Sequence, residues 1–282
     1  METFTFQNHK ISYLQKGHGP PLIMIHNGGN DHRIWDYQID YFKQYFEIFA
    51  IDLLGYGNSD KPCINYSLDF YTSLLDHFIQ IKKLDQVSLL GHCIGSAISL
   101  SYALANPGNV RYIVLFNIAT VKTLLAGDLG QLYQWVQSSV LVRQSLKYIS
   151  GILSLPRWVH ELSIKMQYGI EPENDKSFTD HLIKKYQDPH QFSVLYHLLL
   201  NFQSFEILDT IVKPAFFPPT FIIWGAQNHI LPLQGGRIFA ENFKPDHFQV
   251  FPKGGHMVMR DCAQWVNQSL FNFFHQFKRR TI

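Results

Sequence analysis

Short apolar runs separated by turn residues dominate the first 118 positions. Residues 3–6 and 11–15 alternate apolar and polar side chains, which predicts two strands joined by a turn at Asn8-His9. Segments 22–26, 46–51, 87–90 and 110–116 are nearly continuous apolar runs, as expected of strands buried on both faces. Between them the apolar period lengthens to that of a helix. Ile34, Trp35, Ile39 and Phe42 follow a capping Asp31, segment 67–82 is helical by period, and segment 96–105 is helical until Asn106-Pro107-Gly108 stops it. Strands alternating with helices imply the α/β class, with a mainly parallel sheet covered on both faces. From about Ala119 to Lys213 only helical periods and turn signals occur. The alternation then resumes, with strands at 220–224 and 248–251 and a closing helix over 257–277. The expected organisation is a core in two parts, 1–118 and 214–282, with a helical insertion at 119–213.

Composition narrows the function classes. Lys plus Arg is 24 and Asp plus Glu is 22, a near-balance that argues against nucleic-acid binding. Charged residues are only 16% and aromatics 15%, so the chain can bury a large core and still line a pocket or an interface. No apolar run is long enough to span a bilayer, and METFTFQNHK lacks the apolar segment of a secretory signal. The 3 cysteines cannot all pair and form no CxxC, so reduced thiols and a cytoplasmic location are expected. The 14 histidines include no HExxH or clustered Cys/His spacing, and Gly28-Gly29 lacks a following Lys-Ser/Thr. Neither a metal nor a cofactor is expected.

The chemistry concentrates in Gly91-His92-Cys93-Ile94-Gly95, a GxCxG pentapeptide between a buried strand and a helix. A nucleophile at the tip of a sharp strand-to-helix turn needs small neighbours, and the glycines supply the room. The turn also directs a helix N-terminus at the sulfur, where backbone N–H groups can stabilise a thiolate or an oxyanion.

With these residues the sequence resembles the α/β-hydrolase superfamily of the cap-bearing type, over nearly its whole length. His26-Asn27-Gly28-Gly29 is similar to the family's oxyanion loop, with Asn27 where a second glycine is usual. The run from Asp52 to Pro62 resembles the DxxGxGxSDxP loop. Trp224-Gly225-Ala226-Gln227-Asn228 resembles the segment bearing the catalytic acid, and Gly255-His256 the catalytic GH. The resemblance implies an eight-stranded, mainly parallel sheet flanked by helices, with 119–213 as a helical cap. It implies a triad of Cys93, His256 and Asn228, with an oxyanion hole formed by the amides of Gly28 and Ile94. Asn117, after the sixth strand, is the alternative orienting residue. Cys and Asn stand where the family usually has Ser and Asp. A thiol ionises nearer neutrality than a hydroxyl, so a thiolate–imidazolium pair needs only an amide to hold the ring.

A Cys at this turn resembles polyhydroxyalkanoate synthases and dienelactone hydrolases. The first expectation is therefore acyl transfer from a thioester or activated ester with an apolar acyl group, through an acyl-cysteine. The substrate would be a small molecule or carrier-bound. The alternative is hydrolysis of an ester, thioester or lactone. A third reading is a catalytically silent protein of this fold that binds a hydrophobic ligand or a partner.

Overall fold

The computed structural model describes residues 1–150, 156–170 and 175–278. Its strands are β1 (Glu2–Phe6), β2 (His9–Gly17), β3 (Pro21–Ile25), β4 (Glu47–Ile51), β5 (Val87–His92), β6 (Val110–Phe116), β7 (Thr220–Gly225) and β8 (His247–Phe251). They form one sheet of 8 strands in the order β1-β2-β4-β3-β5-β6-β7-β8. β2 runs antiparallel to both β1 and β4, and every other neighbouring pair is parallel. Alternate side chains feed two separate cores. Ile23, Ile25, Leu89, Ile113, Leu115, Ile222 and Trp224 point to one face. Leu22, Met24, Leu90, Tyr112, Val114, Phe221 and Ile223 point to the other. A strand buried on both faces has no polar face to show, hence the unbroken apolar runs in the sequence.

Helices α1 (Asp36–Phe42), α2 (Leu68–Ile81) and α3 (Ile94–Ala105) connect the first strands. Between β6 and β7 the described elements are all helical: α4 (Val121–Leu125), α5 (Asp128–Ser138), α6 (Val140–Ser150), α7 (Arg157–Lys165), α8 (Lys176–Tyr186), α9 (Pro189–Leu200) and a 3₁₀ segment, Phe202–Thr210. Helix α10 (Leu233–Phe243) joins β7 to β8, and α11 (Val258–Asp261) and α12 (Ala263–Lys278) close the chain.

Two expected helices differ in detail. Asp31 does cap, accepting from the Arg33 amide, but what it starts is a 3₁₀ turn, His32–Trp35, ahead of α1. The closing helix is broken at Cys262, whose φ of −122° and ψ of 33° lie outside helical geometry. There the neighbouring Asp261 carboxylate accepts from the amides of Gly169 (3.0 Å) and Gly255 (2.7 Å). These bonds tie the start of the last helical segment to two loops, a tertiary constraint that periodicity does not carry.

Strand order reverses between β3 and β5, because β3 leads to β4 on one side while β5 leads to β6 on the other. In open α/β sheets the crevice at the carboxyl ends of such strands is where ligands bind. The loop 26–31 and the turn at Cys93 emerge side by side at this point.

Candidate active site

Cys93 follows β5 directly, with φ 55° and ψ −112°. This is a left-handed conformation that costs a non-glycine residue of order 1–3 kcal/mol, so its surroundings must enforce it. The Cys93 amide donates to Phe116 O (2.9 Å), and its carbonyl accepts from Ala119 N (3.2 Å). Ser96 Oγ donates to Gly91 O (2.7 Å) and Phe116 O (3.0 Å). A Cβ at Gly91 would sit 2.3 Å from Gly95 O, and one at Gly95 only 2.2 Å from Ile25 O. Both glycines are therefore required by close backbone approach, as the sequence pattern implied.

The amides of Ile94 and Gly28 both lie beside the Cys93 sulfur and favour its ionised form. One comes from the first turn of α3 and the other from the loop after β3. His26 braces that loop: its Nε2 accepts from Leu53 N (2.9 Å), which leaves Nδ1–H to donate to Asn27 O (2.6 Å). Asn27 turns its side-chain Nδ2 back onto Gly28 O (3.1 Å). Its backbone stays outside the left-handed region, which in this loop is taken by Gly29 at φ 86°. Nothing in the backbone therefore demands glycine at position 27.

His256 is buried, and its ring packs against that of His92 with centroids 4.5 Å apart. Asn117 donates from Nδ2 to the His256 carbonyl (2.8 Å) and accepts from Gly225 N (3.1 Å). It anchors the backbone of His256 and not its ring. The loops bearing Asn228 and His256 are knitted together by Ala226 N to Phe251 O and Gln227 N to Gly254 O, each 2.9 Å. The Asn228 oxygen, however, accepts from the amides of Ile230 (3.1 Å) and Leu231 (2.9 Å). Asn228 Nδ2 and His256 Nδ1 are both buried without a partner. The structure thus brings the amide oxygen of neither Asn228 nor Asn117 to the imidazole: local turn amides occupy one and Gly225 N the other.

A resting thiolate–imidazolium pair is also not what this environment favours. Burial pushes the Cys93 thiol up to about 12, outweighing the Ile94 and Gly28 amides that pull it down. Burial lowers His256 to about 3. Both shifts disfavour charge, so the resting site holds a neutral thiol and a neutral imidazole. The helix terminus favours a thiolate, and the depth of the site outweighs it.

Depth comes from α9 and the loops beneath it. A Cβ at Gly28 would lie 3.5 Å from Leu195, Leu198 and Tyr56 Oη, and one at Gly55 would lie 2.5 Å from Val194. Helix α8 is fastened to the core by His181 Nε2–Asp31 Oδ2 (2.5 Å), Lys185 Nζ to Gly57 O (2.9 Å) and Arg260 to Asp175 (2.9 Å). Asp31, His32 and Asp52 lie close enough together to suggest a cation site. Their atoms are instead engaged with one another's neighbours: Asp52 with His32 Nδ1 (2.7 Å) and Asn58 N (2.9 Å), Asp31 with His181 and Arg33 N (3.0 Å). This cluster fastens the loop to α8. Among the described residues, Cys63, Cys93 and Cys262 form no disulfide.

The buried histidines set the dependence of stability on pH. Burial lowers His26, His92 and His256 below the ordinary 6.5. Below pH 6.5 the unfolded chain takes up protons at these rings that the folded chain refuses, so stability falls as pH drops from about 6.5 toward 3. For His256, lowered to about 3, the slope reaches roughly 1.4 kcal/mol per pH unit, and His26 and His92 add in the same direction. His32 acts in the opposite sense. Burial would lower it, but the hydrogen bond and charge of Asp52, with Asp31, raise it overall. Its contribution is complete below 6.5 and fades as pH rises through its folded value. Denaturant melts between pH 4 and 9 should therefore peak near neutrality, and His256→Gln should flatten the acid limb. An acid limb equally steep in the variant would contradict this account.

The chain belongs to the alpha/beta hydrolase fold family, whose family model matches residues 20–261. Among similar proteins, 2-hydroxy-6-oxo-2,4-heptadienoate hydrolase of Pseudomonas putida is 22% identical, over 86% of this chain and 84% of its own. Epoxide hydrolase 2 of Caenorhabditis elegans is 23% identical, over 98% of this chain and 80% of its own. Est816, described as an N-acyl homoserine lactone degrading enzyme, superposes with a TM-score of 0.76 at 18% identity, covering 96% of this chain and all of that one. Among the described residues no helix is long and apolar enough to cross a membrane.

Sequence reasoning missed Tyr56 and Gln191. Tyr56 lies within the Asp52–Pro62 motif but reads there as loop, and Gln191 reads as one polar position on a cap helix. Only the fold brings both against the loop after β3.

Proposed function

We propose that this protein hydrolyses an acyl bond (ester, thioester or lactone) with an apolar acyl group, through an acyl-Cys93 intermediate. The observation that carries this reading is the pair of amides, Gly28 and Ile94, that converge on the sulfur of a strained turn. Such a pair is useful where charge develops on a carbonyl oxygen. Displacement at a saturated carbon, as in epoxide opening, would leave Cys93 as a thioether, which has no carbonyl for water to attack. A thioester does have one, so among the chemistries named for the relatives only acyl cleavage lets a cysteine turn over. Hydrolysis is preferred to acyl transfer because the similar proteins covering most of the chain carry hydrolase names.

In this reading Cys93 gives its proton to His256 as sulfur bonds to the carbonyl carbon, and the oxygen takes the electron pair between the two amides. The carbonyl re-forms, the leaving oxygen or sulfur departs, and His256 returns the proton to it. Water, deprotonated by His256, then adds to the thioester, and the thiolate leaves and recovers the proton. The helical segment 119–213 acts as the cap, with Leu195 and Leu198 against the acyl chain and bulk water kept from the site.

The test is intact-mass spectrometry after brief incubation with 4-nitrophenyl esters and acyl thioesters of increasing chain length. One acyl mass should appear, map to Cys93 and decay with release of free acid. Absence of an adduct with every chain length, together with undiminished turnover by Cys93→Ala, would overturn the reading. Turnover that rises with added alcohol or amine at the expense of free acid would restore acyl transfer.

A further inference from the structure

We infer that the site has a second recognition point beside the scissile carbonyl, where Tyr56 and Gln191 hold an uncharged group that both donates and accepts hydrogen bonds, such as an amide. The inference rests on the proposed acyl chemistry and specifies its substrate. Tyr56 is fully buried, and its hydroxyl makes no close hydrogen bond, the Tyr71 hydroxyl being the polar group within weak reach of it. Its hydroxyl neighbour Tyr71 gives its own proton to Leu54 O (3.0 Å). Burial holds the phenol far above its ordinary 10, so it stays a proton donor, and Cys93 is among the groups near it. A Cβ at Gly28 would lie 3.5 Å from the Tyr56 oxygen, and the Gly28 amide lies beside the Cys93 sulfur. A substituent one or two bonds from a carbonyl seated on that amide falls within its reach.

Gln191 supplies the acceptor. Its Nε2 donates to Gly29 O (2.9 Å), which fixes the amide, and its Oε1 is left buried without a partner. It stands one turn before Leu195 and two before Leu198, on the face of α9 that covers the loop. Asn27 Oδ1 and both amide atoms of Asn30, in the same loop, are buried and unpartnered as well. Native interiors pair the great majority of such atoms, so several around one loop mark a place where a ligand completes the bonding.

A carboxylate does not fit. The cations near this loop are engaged elsewhere: Arg33 with Asp36 (3.5 Å), Lys185 with Gly57 O (2.9 Å), and Arg260 with Arg33 O and Asp175 (both 2.9 Å). The loop's own charges include buried Asp31 and, beside it, buried Asp52. An anion is therefore excluded, and a cation, which accepts no hydrogen bond, would leave the Tyr56 O–H unpaired, so the recognised group is uncharged.

The experiment compares three 4-nitrophenyl esters of similar length, pentanoate, N-acetylglycinate and hydrogen succinate, on the parent, Tyr56→Phe and Gln191→Met. Dividing each variant's preference by the parent's cancels the intrinsic reactivity of the esters. Tyr56→Phe should reduce the N-acetylglycinate-to-pentanoate ratio of kcat/KM by about ten-fold or more, since a site built to hydrogen-bond rejects what leaves it unpaired. Gln191→Met should lower the same ratio, and hydrogen succinate should be the poorest parent substrate per unit of intrinsic reactivity. Acyl-Cys93 forming from pentanoate and N-acetylglycinate with a ratio unmoved within two-fold by both variants would overturn this inference alone. So would a parent preference for hydrogen succinate. Failure of any ester to acylate Cys93 would overturn the inference together with the acyl chemistry beneath it.

Discussion

Cys93→Ala is expected to lower kcat/KM by about 10⁴-fold or more while leaving the fold intact. Removing a covalent nucleophile leaves only binding and the oxyanion amides, which alone retain a small residual rate. The fold should persist because the turn is held by contacts of the backbone and of Ser96, not by the thiol. The strain at Cys93, with φ 55°, offers a second readout. Alanine keeps a Cβ and keeps the strain. Cys93→Gly removes it, gaining about 1–3 kcal/mol against roughly 0.5–1 kcal/mol of added chain entropy. The glycine variant should therefore be inactive and melt at or above the temperature of the alanine variant. Parent-level turnover in Cys93→Ala would remove the nucleophile assignment. A glycine variant clearly less stable than the alanine one would show that the backbone is not strained there.

Much of this architecture was legible because the central strands, β3 to β7, are buried on both sides. Continuous apolar runs separated by Gly, Pro and Asn announce a parallel sheet, and Val110–Phe116 and Thr220–Gly225 lie where those runs place them. The elbow was legible for a different reason. Gly91 and Gly95 are required by backbone contacts closer than any side chain allows, and a requirement of that kind leaves its mark on residue identity. What could not be read is how polar atoms distribute themselves among competing partners. The sequence offers Asn228 as a support for His256, but two backbone amides three residues or fewer away take its oxygen first. Nor does a sequence show how deeply a site lies, and depth is what keeps Cys93 and His256 neutral. The break at Cys262 and the pairing of Tyr56 with α9 are likewise products of segments that meet only in the fold.

Asn228→Asp is expected to make the enzyme faster, with the acylation step rising about ten- to a thousand-fold. The Asn228 oxygen already accepts from Ile230 N and Leu231 N, so one carboxylate oxygen can keep both bonds and preserve the turn. The other would replace Nδ2, a buried donor without a partner, on a loop tied to the one that carries His256. That exchanges a donor for an acceptor. An acceptor can take Nδ1–H of His256 and leave Nε2 free to receive the thiol proton, whereas an amide N–H directed at Nδ1 would favour the opposite tautomer. The carboxylate charge would also stabilise the imidazolium as it forms, which the buried ring now resists, being lowered to about 3. Single-turnover acylation of the parent and Asn228→Asp, followed across pH 5 to 9, gives the comparison. The variant should gain most near neutrality, and its histidine should titrate higher by NMR. Asn228→Ala should differ little from the parent, since the native amide makes no bond to the ring. A large loss in Asn228→Ala with no gain in Asn228→Asp would mean that the amide itself positions His256 during turnover, and a working Cys-His-Asn triad would replace a neutral Cys93 and His256 acting without Asn228.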